Sequence, residues 1–119
     1  MSVYEKVFDK LKENNIDVYP PATHKGEVKS NYVVLKKTSK IRASTFSSQT
    51  VLIDVLCYVP GTRYTDLDDY VENVKSVLKE MFPQIVPTGN ETEPFYDDTI
   101  KGWMSSVEYR YTVRSTHLK

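Results

Sequence analysis

The sequence predicts an α+β domain: a mostly antiparallel sheet with two amphipathic helices packed on one face. Three observations predict it. Apolar residues recur at helical spacing near the start and in the middle of the chain, two long segments alternate with strand period, and no internal repeat or linker interrupts the succession. With 119 residues the chain is expected to form one domain over residues 1–119, because a chain of this size buries roughly two thirds of its unfolded surface around a single core.

The elements follow in order. Val3, Val7 and Leu11, with Tyr4 and Phe8 beside them, predict an amphipathic helix over residues 2–14. Pro20 and Pro21 then exclude both helix and central strand, since neither can donate a backbone hydrogen bond, and predict a stiff extended connector. "NYVVLKK", residues 31–37, reads as a strand, and the polar run "TSKIRASTFSSQT" after it as a loop or hairpin tip. In "TVLIDVLCYVP" one face is Val51, Ile53, Val55, Cys57 and Val59 and the other is Leu52, Leu56 and Tyr58. Both faces being apolar, this strand is expected to be central and covered twice, with a neighbouring subunit as a candidate for the second cover.

Leu67, Tyr70, Val71, Val74, Val77, Leu78, Met81 and Phe82 predict a second helix that Pro83 stops, with Thr65 and Asp68 as its N-capping pair. A short strand over residues 84–87 and a turn in "TGNETEP" lead to a long alternating strand from Lys101. That strand carries Trp103, Val107, Tyr109, Tyr111 and Val113 on one face and Glu108, Arg110, Thr112 and Arg114 on the other.

Composition narrows the function classes. Sixteen Lys and Arg balance sixteen Asp and Glu, so overall charge draws the chain neither to nucleic acid nor to an anionic membrane. The charged opening, "MSVYEKVFDKLKENN", reads as neither signal peptide nor membrane span, and a protein made in the cytosol is expected. The single cysteine excludes an internal disulfide. Nine tyrosines, apolar in the ring and wet at the hydroxyl, favour an interface.

Chemistry is sparse. Metal-ligand spacing, a glycine-rich phosphate loop and a Cys-His nucleophile are all missing from the pattern, so no enzyme is expected. Cys57, on an apolar strand face, is expected to be a buried hydrophobe, not a reactive thiolate. Asp97 and Asp98 in "PFYDDT" are candidates for a cation site with His24 or Glu27, although Asp, Thr and Pro at a strand entry more readily make a turn. For Trp103, Tyr109 and Tyr111, sheet packing outweighs a base-stacking platform, because basic residues interleave only at Arg110 and Arg114. The segment "VYPPATHKGE" leaves three readings open: a catalytic loop, a ligand-binding loop, or a rigid arm that meets another protein.

"VYPPATHKGEVKSNYVVLK", "LCYVP" before an acidic helix start, and "PTGNETEPFYDDTIKGWMSSVEYRY" together resemble the small tail-completion proteins, also called minor capsid or tail terminator proteins, of long-tailed phages and prophage-derived tail particles of Gram-positive bacteria. The resemblance spans residues 18–111. It implies a compact subunit that forms a homo-hexameric ring on the last ring of the tail tube protein, ends tube polymerisation and presents a surface to the head-tail connector or neck protein. It implies a place in the virion, at the head-proximal end of the tail, after assembly in the bacterial host cytoplasm. No catalytic residue, cofactor, metal or membrane is implied, and genomic DNA is expected to pass through the ring without specific binding.

On this reading the arm is stiffened by its prolines, and the assembly surface is expected to comprise Tyr19, Pro20, Pro21, His24, Lys25, Glu27, Tyr96, Asp97, Asp98, Tyr109 and Tyr111. Two alternatives accompany it. One is a head-tail joining protein of the same particle. The other is a small metal- or ligand-binding domain using Asp97, Asp98 and His24.

Overall fold

Two long strands organise the molecule. In the computed structural model, which describes residues 2–24, 26–42 and 48–114, β3 is Ser48–Pro60 and β6 is Gly102–Arg114. They pair antiparallel in unbroken register from Ser48 opposite Arg114 to Pro60 opposite Gly102. The other strands are β1 (Val18–Tyr19), β2 (Tyr32–Arg42), β4 (Val86–Glu91) and β5 (Phe95–Asp97), and the helices are α1 (Val3–Glu13) and α2 (Leu67–Lys79). The sheet order is β1-β2-β3-β6-β4, with β5 pairing the start of β6. Only β1 runs parallel to its neighbour, so the sheet is mixed and mostly antiparallel.

Both helices form where the apolar spacing places them. Ser2 caps α1 by accepting the Glu5 backbone N–H at 3.1 Å, and Asn15 closes it in the left-handed region at φ 61°. Val7 and Leu11 of α1, with Leu67, Val71, Val74, Val77 and Leu78 of α2, pack on the face of the sheet formed by Val33, Leu35, Val51, Ile53, Val55, Cys57, Val59, Val107, Tyr109 and Tyr111. Removing this apolar surface from water is the main driving force for the fold, at roughly 25 cal/mol per Å².

Several boundaries differ from expectation for identifiable reasons. The polar run after Lys37 is not a loop through its whole length: β2 continues to Arg42 and β3 begins at Ser48, so antiparallel pairing carries both strands well beyond their apolar cores. The hairpin tip lies outside the described residues. Thr65 does not cap α2, because residues 64–66 form a 3₁₀ turn and the helix starts after Asp66. The Asp66 carboxylate is engaged instead by Arg63 Nε at 2.6 Å. α2 ends at Lys79, earlier than expected, and Phe82 is 64% exposed.

"TGNETEP" is not simply a turn. β4 runs through it to Glu91 over a register shift after Pro87, with Gly89 at φ 92°. Nor is "PFYDDT" wholly a turn, since Phe95, Tyr96 and Asp97 pair with Met104, Trp103 and Gly102.

Within this chain β3 has one covered face. Val51, Ile53, Val55, Cys57 and Val59 are buried under the helices, but Leu52, Asp54, Leu56 and Tyr58 on the opposite side are only half-buried. The strand is central, and no helix among the described residues covers its second face.

Candidate functional site

The arm that follows β1 is folded onto its own sheet. Pro20 and Pro21 open a turn in which Thr23 Oγ1 donates to the Pro20 carbonyl at 2.8 Å and Ala22 takes φ 66°. The chain then crosses the helix-free face. The His24 ring lies on Tyr32 with centroids 4.0 Å apart and planes 19° from parallel, and Tyr32 in turn stacks on Tyr58 at 4.8 Å and 12°. Tyr19 meets both His24 and Tyr32 edge-on.

This stack explains why Tyr32, on the open face, is nevertheless 4% exposed. Burial, then the neighbouring Tyr58, Tyr19 and Asp97, push its phenol up to about 12. Farther on, Val28 is buried against Gly102, and its N–H donates to the Ile100 carbonyl at 2.8 Å.

The arm therefore ends beside the β5–β6 turn, which bears the other candidate residues. Thr99 N–H donates to Asp97 Oδ1 at 2.9 Å, the side-chain-to-backbone turn that this sequence favours. Glu27 pairs with Lys101 at 3.8 Å, both largely exposed, so the pair contributes little. Asp98 is exposed. No group of three or more His, Cys, Asp or Glu that could hold a metal ion occurs among the described residues.

The expected surface thus divides. Tyr19, Pro20, Pro21, His24 and Glu27 lie along the arm, with Pro20 and Pro21 exposed, and Tyr96, Asp97 and Asp98 lie at the neighbouring sheet end. Lys25 lies outside the described residues. Tyr109 and Tyr111 follow the sheet-packing reading and not the assembly-surface one: at 3% and 5% exposure they are core residues beneath the helices. Alternation alone assigns them to a face, and only the position of the helices tells which face is covered. Cys57 is fully buried, and burial pushes its thiol up to about 12, the opposite of what a nucleophile needs.

Sequence reasoning missed one cluster. Tyr64 and Tyr96, 50% and 39% exposed, flank Trp103 with centroids 4.5 and 5.2 Å from it. The Trp103 indole N–H donates to the Gly61 carbonyl at 3.3 Å. Gly61 itself sits tightly beneath Tyr96, because a Cβ there would come within 3.0 Å of that ring. Phe95, on the next position of β5, is also exposed, at 58%. The available signal was Tyr64 directly after the "PGTR" turn, but nothing in the linear order joins it to Tyr96.

Beside the arm, an open groove of about 840 Å³ runs between the end of α1 and β1, lined by Phe8, Lys12, Asp17, Tyr19, Pro20 and Thr23. The described residues present a proline turn, an exposed aromatic cluster and a half-exposed sheet face as contact surface. Compared with known proteins, the chain matches no protein-family model and no curated protein sequence.

Proposed function

We propose that this chain is a structural subunit of a phage tail or phage-derived tail particle: a tail terminator that forms a hexameric ring on the tail tube, ends tube polymerisation and offers a surface to the neck. The observation that carries the reading is the subunit's polarity. It measures 53 × 26 × 24 Å, with β2, β3 and β6 running on past the buried Val51 and Tyr111 at one end and exposed aromatic rings at the other. A closed ring requires two different patches on each subunit, one for each neighbour. A long strand ribbon and an aromatic cluster at opposite ends suit that requirement, and buried aromatic anchors are what such contacts favour.

The proline turn supplies a third exposed element, already ordered by its fold onto the sheet, so docking it on a tube or neck partner would cost little conformational entropy. Replacing Pro20 and Pro21 by glycine is then expected to weaken assembly while the monomer stays folded.

The deciding experiment is electron microscopy of particles made with this gene deleted from its native cluster. Tubes of abnormal, variable length support the terminator. Tubes of normal length that fail to join heads assign the protein to the neck instead, and unaffected, complete particles overturn both roles.

A further inference from the structure

We propose that two copies of this chain pack face to face through the helix-free side of the sheet, turned about a two-fold axis that crosses the strands between Asp54 and Leu52 on β3 and between Glu108 and Arg110 on β6. The contact goes beyond the ring reading and does not rest on it. Val34 on β2, Leu52, Leu56 and Tyr58 on β3 and Met104 on β6 are half-buried on that side, outside the core that the helices cover. The sheet has little else to offer a second sheet, because both its edges are blunted: β1 is two residues long and ends at Pro20 and Pro21, and β4 carries Pro87 and a register shift.

The charges on the open face name the occupant. Strand register places Lys36, Asp54 and Glu108 in one row across β2, β3 and β6, and Leu52 beside Arg110 in the next row. Thr88 at 2.7 Å and Asn90 at 2.9 Å hold the Glu108 carboxylate from its own sheet. Arg110 is exposed and has no ion pair among the described residues.

This pattern complements itself. Turning a second copy about an axis between the two rows lays each Glu108 over Arg110 of the other copy, with Asp54 beside the same guanidinium, whose five donors can serve both carboxylates. The exchange occurs twice, as an isologous contact requires. Leu52 and Leu56 flank the charged row on β3, so the pairs sit within apolar surface.

The arm leaves room for this packing. It rises over the face at Tyr32 and Tyr58, and the two-fold axis sends the two arms to opposite ends of the pair, so the sheets can approach to ~10 Å between them. From Tyr58 to Thr50 along the strands and from β2 to β4 across them, the face measures roughly 26 by 14 Å, at ~3.3 Å per residue and ~4.8 Å per strand. That is the low end for a specific interface, so a weak dimer is expected.

The test is charge exchange, read by analytical ultracentrifugation of the full chain over a range of concentrations, with circular dichroism to verify folding. Wild-type protein is expected to show a monomer–dimer equilibrium that weakens as salt rises. Glu108→Arg alone sets two arginines against each other and Arg110→Glu alone sets two glutamates, so each should lower the association constant by about tenfold or more. An equimolar mixture of the two variants pairs Arg with Glu at both positions and should associate within about threefold of wild type, an outcome that misfolding cannot imitate.

Dimers that ignore both single reversals overturn the proposed contact. So do reversals that weaken association without rescue on mixing, which assign the effect to folding of the variants. A wild-type chain that stays monomeric at all concentrations overturns the contact, and one that passes from monomer to hexamer without a dimer overturns it while supporting the ring reading.

Discussion

The imidazole of His24 lies flat on the ring of Tyr32, 4.0 Å between centroids, and this contact fastens the proline arm to the sheet. A segment that reads as a protruding arm is thereby a strap across its own domain, held down at His24 and Val28 and exposed at the turn of residues 20–23. Aromatic pairs of this geometry contribute ~0.5–1.5 kcal/mol beyond the area they bury. His24→Ala should destabilise the protein by about 1 kcal/mol in urea titration and speed amide exchange at residues 22–28. His24→Phe should restore most of both.

Asp54 and Glu108 face each other directly across β3 and β6. Hydrogen bonds from Thr88 at 2.7 Å and Asn90 at 2.9 Å hold Glu108 below the usual carboxylate range. Asp54 is raised, by burial first and by Glu108 second, with Lys36 opposing. A carboxyl whose folded pKa lies above its unfolded value penalises the fold once both states are ionised, and the penalty fades as pH falls through the raised pKa. Asp54→Asn should therefore raise the melting temperature near neutral pH, and the gain should shrink toward about pH 3, where the wild-type side chain is protonated in both states. Glu108, whose folded pKa is lowered, contributes stability that is lost as pH falls toward that value. Glu108→Gln should flatten the acid side of the stability curve.

Gly102 meets the strap where β6 begins. A methyl group there would run into the Val28 side chain and lie 3.1 Å from the Val59 carbonyl oxygen. Gly102→Ala should cost ~1–3 kcal/mol through overpacking. Val28→Ala in the same chain should recover part of that loss, so a double-mutant cycle should show coupling between the two sites.

Tyr70 carries a buried hydroxyl with no hydrogen-bond partner among the described residues, and burial pushes its phenol well above the ordinary range. A buried unpaired hydroxyl costs ~1–3 kcal/mol in desolvation. Tyr70→Phe should accordingly raise stability, by about 1 kcal/mol in denaturant titration. A loss of stability would mean that the hydroxyl has a partner in solution.

The sequence by itself determined the local elements whose cause is local. α1 and α2 follow from three-and-four spacing, and the β6 alternation and the inward row from Val51 to Val59 follow from strand period, because side-chain direction is fixed by backbone geometry within a few residues. The turn at Asp97 was legible for the same reason: its hydrogen bond spans two residues.

Tertiary structure alone decided which sheet face the helices cover, and hence that Tyr109 and Tyr111 are core while Leu52, Leu56 and Tyr58 stay half-exposed. It also brought His24 to Tyr32 and Tyr58, and Tyr64 to Trp103 and Tyr96, contacts that span as many as 39 residues of sequence in the case of Tyr64 and Trp103. Such pairings depend on strand order and register, which arise from the packing of the whole chain and leave no periodic trace in any short window of it.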